Sequence, residues 1–357
     1  VAVGELVIDW IAQEKGAGFI ESSHFIKSLG GNASNVAIAL SRLGTQSRII
    51  AKVGADVHGK YLLKVLSNEG VDVSFVKIEP KYSTANCYVF TTLDDDNTFL
   101  NWPPGNAASM LTVDDLNDEQ LEGASCIHAT GISLTTEPRK TAVISLLERA
   151  VKKGLIVSFD AGFPTGEGSE ARLAVEEAID LAHIVKVNLV ELFYWARQYG
   201  VKGCDDPLLA SLGSVYEHPP SSGFEGNSTK GFSISRERVE TLARNLFDRI
   251  EPEILIVTLA ERGSMVMTRR YTSWRRSIVV DSIAGVGAGD AYIAGFLHSL
   301  CQLDSQCTPE SIGELSQDTL DEANKFASVV GALATTHISA YEGLPSLAKV
   351  REVIGVN

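Results

Sequence analysis

A glycine-dense stretch late in the chain, Ala284-Gly285-Val286-Gly287-Ala288-Gly289-Asp290, runs straight into the apolar segment Ala291-Tyr292-Ile293-Ala294-Gly295-Phe296-Leu297. The residues before it, Ser277 to Ile283, are rich in β-branched side chains, so the pattern is that of a strand, a glycine turn and the start of a helix. Such a turn points successive backbone N–H groups and the positive helix end at one spot, which favours an anion. Glycine lets the main chain approach a phosphate closely, and Asp290 on the first helical turn offers a carboxylate where an attacking hydroxyl would give up its proton. Phosphoryl transfer needs both. Two plainer readings compete: a dinucleotide-binding turn and a simple tight connection. The first usually follows a domain's opening strand, whereas this turn lies near the end of the chain. No Lys-Ser or Lys-Thr follows the glycines, which removes a Walker-type phosphate loop.

Other polar residues gather where an open parallel sheet would present them. Val1 to Ile8 reads as a strand that delivers Asp9 just past its end, and the alternative is a solvated turn residue. Gly30-Gly31-Asn32-Ala33-Ser34-Asn35 leads into Val36, Ala37, Leu40 and Leu43 at helical spacing, with Gly44 as the stop. Ser34 or Asn32 is the expected N-cap, and Asn35 could hold a hydroxyl through its amide; capping alone explains the segment equally well. From Cys126 the pattern is regular βαβ, with strands ending at Thr130, Asp160 and Asn188 and helices over Arg139 to Lys153 and Glu170 to Leu181. Asp160, Asn188 and Glu191 thus sit at or just after strand ends. A helix from Arg236 to Ile250 and a strand from Ile254 lead to Thr258-Leu259-Ala260-Glu261-Arg262-Gly263.

Elsewhere along the chain, Thr84 to Thr92 and Thr98 to Trp102 read as a hairpin turning through Asp94-Asp95-Asp96-Asn97, either a lid over the site or an edge hairpin of the main sheet. Residues 203–231 form a Pro-, Ser- and Gly-rich surface insertion, and 304–322 an acidic polar loop ahead of a closing helix over Ala323 to Thr336. The fold expected is α/β, a doubly wound, mostly parallel sheet with a small β lid, in a single domain over 1–357 with lid strands within 9–30 and 83–105.

Composition supports a soluble globular enzyme: 357 residues, 45% hydrophobic and 21% charged. A net charge of −14 disfavours nucleic acid or an anionic membrane as partner, and no run is long enough for a membrane span. The five cysteines, Cys87, Cys126, Cys204, Cys301 and Cys307, are scattered and lack metal-ligand spacing, which suits a reducing, cytoplasmic setting. The sequence opens at Val1, inside an apolar run and without Met, so a few preceding residues are expected and a targeting segment there stays open.

In this order, Gly4-Glu5-Leu6-Val7-Ile8-Asp9, Gly30-Gly31-Asn32-Ala33-Ser34-Asn35-Val36-Ala37 with Arg42-Leu43-Gly44, Val53-Gly54 with Gly59, Gly131-Ile132-Ser133-Leu134-Thr135-Thr136-Glu137-Pro138 and Gly287-Ala288-Gly289-Asp290 resemble the ribokinase-like (phosphofructokinase B type) sugar kinases, the fructokinases most of all. The resemblance implies transfer of a phosphoryl group from MgATP to a sugar's primary hydroxyl, most of all fructose. It also implies Asp290 as general base, with Gly287, Ala288 and Gly289 as anion hole. Asp9, Gly30, Gly31 and Asn35 would contact the sugar; Asn188, Glu191, Thr258, Glu261 and Gly263 would serve the nucleotide, with Glu191 ordering Mg2+ through water. A homodimer through the lid is compatible with it. Three positions depart from the family pattern. Ala161-Gly162-Phe163-Pro164 stands where Pro-Asn-x-Arg is usual, Trp102-Pro103-Pro104-Gly105 lacks the usual Arg, and Ala284 replaces an Asp associated with a monovalent cation. Other readings are a kinase for 2-keto-3-deoxygluconate, a nucleoside or another small polyol, a weakly catalytic sugar or nucleotide sensor, and, more remotely, a dinucleotide-dependent oxidoreductase.

Overall fold

A computed structural model describes residues 1–91, 97–103, 105–164, 169–202, 234–303 and 307–355. The turn at Asp94 to Asp96, the 203–231 insertion and residues 304–306 lie outside the described residues.

Among the described residues, thirteen strands form two sheets. In chain order they are β1 (Ala2–Val3), β2 (Val7–Ala12), β3 (Phe25–Gly30), β4 (Ile49–Gly54), β5 (Val76–Glu79), β6 (Ala85–Thr91), β7 (Asn97–Trp102), β8 (Cys126–Thr130), β9 (Ile156–Asp160), β10 (Ile184–Asn188), β11 (Ile254–Thr258), β12 (Ser264–Met267) and β13 (Thr272–Arg275). The large sheet runs β13-β12-β11-β10-β9-β8-β1-β4-β5, parallel from β11 to β5, with β12 and β13 added antiparallel. Its central strands are apolar on both faces, as burial on both sides demands. Val185 and Val187 enter one core layer while Ile184 enters the other.

Helices cover both faces. On one lie α1 (Asn32–Arg42), α2 (Val57–Asn68), α7 (Ala288–Gln302) and α9 (Gln317–Ala334); on the other, α3 (Arg139–Lys152), α4 (Ser169–Leu181), α5 (Leu189–Gln198) and α6 (Arg236–Ile250). Short helices α8 (Pro309–Ile312), α10 (Ala340–Gly343) and α11 (Leu347–Ile354) complete the described α-helices. A mostly parallel sheet wound on both sides places its ligand crevice at the strand C-terminal ends, where the strand order changes direction beside β1.

The second sheet, in the order β3-β2-β6-β7, takes the hairpin into itself, not onto the edge of the large sheet. It is tied to the large sheet by short crossings. At one of them Asp56, the N-cap of α2, accepts from Gly59 N–H and from the Thr84 backbone and hydroxyl, fastening the entry to β6.

Three expectations from sequence change here. Val1 to Ile8 is two strands in two sheets, because the chain leaves the large sheet at Gly4 and Glu5, so Asp9 lies inside a strand of the small sheet and not beyond a strand of the large one. Ser277 to Ile283 is no strand. Val279 is 101% exposed while Ile278 and Val280 are partly buried against the core, and the amides of Ile283 and Ala284 both donate to Thr335 O, so this β-branched run packs one side inward but finds no strand to pair with. Among the described residues of 304–322, α8 and the start of α9 replace a loop: Thr308 and Ser316 cap them, and Leu320 is buried in the core.

Candidate active site

The glycine turn opens α7 as expected. Gly287 is its N-cap in the left-handed region at φ 77°, and no side chain caps the helix, leaving the first-turn amides to face the crevice. A Cβ on Gly287 would stand 2.4 Å from the Ala340 Cβ, so the position excludes any larger residue. Gly289 is bounded differently: its added Cβ would stand 3.1 Å from Lys186 Nζ. A buried ammonium thus sits against Gly289.

Lys186 is 4% exposed and bonds Asp160 Oδ2 on the neighbouring strand. Asp160, Glu191 and Asp290 together hold its charge above the usual lysine range against the opposing effect of burial. The arrangement is acid-rich, and the carboxyls respond accordingly. Burial, then Asp160 and Glu5, lifts Asp290 to about 7, while the Asn35 hydrogen bond and Lys186 pull the other way. Glu191 is raised by burial and then by Asp160. Asp9 is half-buried but surrounded by protein, and that desolvation, followed by Glu5, raises it to about 7.

Two segments far apart in sequence meet at Asp290. Asn35 Nδ2 donates to Asp290 Oδ2 at 2.8 Å, whereas Asn35 Oδ1 is buried without a hydrogen-bond partner. A buried unpartnered amide oxygen beside a carboxylate marks a place for a donor such as a hydroxyl. Asp9 packs against Gly30, just before the helix that carries Asn35. A Cβ on Gly30 would overlap its carboxylate, and across the small sheet Ser28, Asp9, Cys87 and Asn101 lie in register as one polar row. Gly31 is the N-cap of α1 at φ 104°; Ser34 and Asn32, the expected caps, do not serve, for Ser34 Oγ donates back to the carbonyls of Gly30 and Gly31.

Farther along the crevice, Asn188 and Thr258 end adjacent strands in register. Asn188 and Glu191 form a capping box on α5: Glu191 N–H donates to Asn188 Oδ1, Asn188 N–H to Glu191 Oε2, and Asn188 Nδ2 to Glu191 Oε1. Each Glu191 oxygen keeps a second lone pair, which a water of a hydrated divalent ion could use. Among the described residues no group of three or more His, Cys, Asp or Glu could hold a metal directly. Glu261 is exposed in a short turn, while Gly263 is packed so tightly that a Cβ would overlap Arg275 O. Ala260, between them and Thr258, is itself at φ 53°.

The family departures also have a shape. Ala161 N–H donates to Lys186 O, a bond a proline there could not make, and Phe163 turns inward against Tyr194 at 5.5 Å between centroids. Two residues went unread in the sequence. Lys186 interrupts the apolar run Ile184 to Val187, and a charge inside a central strand requires a buried partner; Glu5 is a buried carboxylate in the same way.

A family model described as the pfkB family of carbohydrate kinases matches residues 1–213 and 227–347. Fructokinase-1 of Zea mays is 30% identical over 99% of this chain and 97% of its own. Probable fructokinase-2 of Arabidopsis thaliana is 30% identical over 97% of this chain and 92% of its own. Among solved structures, the fructokinase of Xylella fastidiosa with bound ATP superposes with a TM-score of 0.80, covering 99% of this chain and 98% of that one at 23% identity. That likeness shows the fold to be ribokinase-like. No helix among the described residues is long and apolar enough to cross a membrane.

Proposed function

This chain belongs to the pfkB family of carbohydrate kinases and is an ATP-dependent sugar kinase, and from that premise we propose that its substrate is fructose, phosphorylated at a primary hydroxyl. The observation that carries the chemistry is the Asn35–Asp290 pair. It offers one carboxylate oxygen as base and, beside it, one unpartnered amide oxygen as orienting acceptor.

In this reading the sugar is held by Asp9, by Asn35 and by the backbone at Gly30 and Gly31. The sugar oxygen attacks phosphorus in line, its proton passes to Asp290, and the bond to the departing nucleotide oxygen breaks. Charge developing on the transferred group meets the amides of Gly287, Ala288 and Gly289, with the Lys186 ammonium against Gly289 offsetting part of the surrounding carboxylate charge. Asn188, Thr258, Glu261 and Gly263 line the nucleotide side. Mg2+ when bound would neutralise phosphate charge, and Glu191 would hold it through water. A carboxyl raised to about 7 by burial is a stronger base than a solvated aspartate once it is ionised. The small sheet acts as a lid over the sugar, and a second copy of the chain could pair with it.

A second reading, a different small polyol, is favoured by one observation: Ala161 and Phe163 fold inward and Pro164 stands where the family usually presents a basic side chain. Release of ADP, followed with fructose, other ketoses, aldoses, nucleosides and sugar acids, separates the two. Fructose is expected to exceed every other acceptor in kcat/KM by about tenfold or more, a gap of about 1.4 kcal/mol in transition-state binding. Preference for another class would transfer the assignment to that class, and ATP binding without turnover of any acceptor would indicate a sensor.

A further inference from the structure

The helix that delivers Asn35 has no cap of its own. No side chain of α1 bonds its free amides, and no acidic residue lies in its first turn. The acceptor comes from outside. Glu5, 5% exposed on the crossing between β1 and β2, accepts from Asn32 N–H through Oε1 at 2.9 Å and from Ser133 Oγ through Oε2 at 3.2 Å. A buried carboxylate at a helix N-terminus satisfies an orphan donor and complements the helix dipole. Gly31 is pressed against the same crossing, since its added Cβ would stand 2.5 Å from Glu5 O. One turn on, Asn35 N–H donates to Gly31 O, and Asn35 Nδ2 reaches Asp290.

We propose that Glu5 is a positioning residue for phosphoryl transfer: as the remote cap of α1 it fixes the rotation of the helix's first turn, and so holds the Asn35 amide between Asp290 and the sugar hydroxyl. The hydroxyl's presence there rests on the sugar-kinase reading; the grip on Asn35 does not. The same carboxylate also adds its charge to the field on Asp290, which otherwise faces Asp160 on β9, Lys186 on β10 and Asn35 on α1. Small displacements at a reacting centre are costly, a misplacement of about 1 Å being enough for a loss of about a hundredfold.

The test compares Glu5→Ala with Glu5→Gln, which keeps an acceptor for Asn32 N–H but removes the charge. Kinetics are measured in the full chain with the sugar and ATP varied separately. Exchange of the Asn35 side-chain amide protons with solvent is followed by NMR, its resonance identified by its loss in Asn35→Asp. Glu5→Ala is expected to lower kcat/KM for the sugar by about 10- to 100-fold while KM for ATP stays within about twofold, and to expose the Asn35 amide to exchange. Glu5→Gln should restore most of both, and should move the acid limb of the sugar kcat/KM profile to lower pH because a like charge near Asp290 is gone. Lowered thermal stability with parental sugar kinetics would overturn the proposal, as would an equal loss for ATP or an Asn35 amide that stays protected in Glu5→Ala. Should Glu5→Ala fail to fold, Asn32→Pro, which removes the N–H that Glu5 accepts from while suiting the first helical position, takes its place, and parental sugar kinetics or a protected Asn35 amide in it overturns the proposal. If the parent phosphorylates no sugar, that reading fails by itself, and the Asn35 exchange still decides the role of Glu5.

Discussion

Replacing Asp290 by Asn separates its chemical role from its energetic one. The substitution preserves shape and an oxygen for Asn35 Nδ2 to bond, but the amide cannot accept the proton, so turnover should fall by roughly 10² to 10⁴, or about 3 to 5 kcal/mol of barrier. Stability should move the opposite way. The folded carboxyl is raised from 3.8 to about 7, chiefly by burial, so the folded state holds its proton where the unfolded state has released it. Its contribution to stability is therefore intact below the unfolded value and is lost as pH rises through the folded one. About three units at 1.36 kcal/mol each set an upper limit of about 4 kcal/mol at alkaline pH, of which about 2 kcal/mol accrues above a pH of about 5.5. The amide of the Asp290→Asn variant has no charge to bury, so urea unfolding at pH about 5.5 and about 8.5 should show that variant gaining on the parent as pH rises. In the parent, kcat/KM for the sugar should climb about tenfold per unit up to a pH of about 7. Turnover within about threefold of the parent would remove Asp290 as the base. A stabilisation equal at both pH values would refute the buried-carboxyl account.

Asp9→Ala should weaken use of the sugar by about 1.5 to 3 kcal/mol and leave ATP kinetics unchanged; a defect confined to ATP would show the two sides of the site to be exchanged. Ala260 holds a left-handed backbone at φ 53°, so Ala260→Gly should leave stability level or raise it by up to about 1 kcal/mol, and a urea midpoint that drops would contradict the strain. Ala284 is buried and Asp281, the nearest upstream acid, is exposed, so K⁺ should support turnover no better than tetramethylammonium at equal ionic strength. Saturable activation of about tenfold by K⁺ would refute this, and its loss in Asp281→Ala would identify the ligand.

The βα alternation from Cys126 to Thr258 was legible because each strand is a short apolar run and each helix a 3.6-residue stripe, and the Gly287 to Asp290 turn was legible because few sequences need that many glycines before a helix. What failed was anything decided by neighbours. The run Val1 to Ile8 looks continuous, and only pairing with β4 and β8 on one side and β3 and β6 on the other divides it between two sheets. Val279 and Ile283 carry β propensity that no adjacent strand uses, while Lys186 and Glu5 read as solvent-seeking side chains until their partners Asp160, Asn32 and Ser133 are in view.

The Asn35–Asp290 hydrogen bond joins residues 255 positions apart, and this has a bearing on how the protein is made. During synthesis the small sheet and most strands of the large sheet emerge well before α7 and α9. Until those helices arrive, Ile184, Ile254, Ile256 and Val266 lack the cover of Ile293, Phe296, Ala327 and Val330, so a nascent chain carries a sheet whose face is covered by α1 and α2 at one end and is greasy and bare at the other. Competence to bind and to react therefore comes with the same event that makes the chain safe from aggregation, and a polypeptide released before α9 is complete would be both inert and sticky.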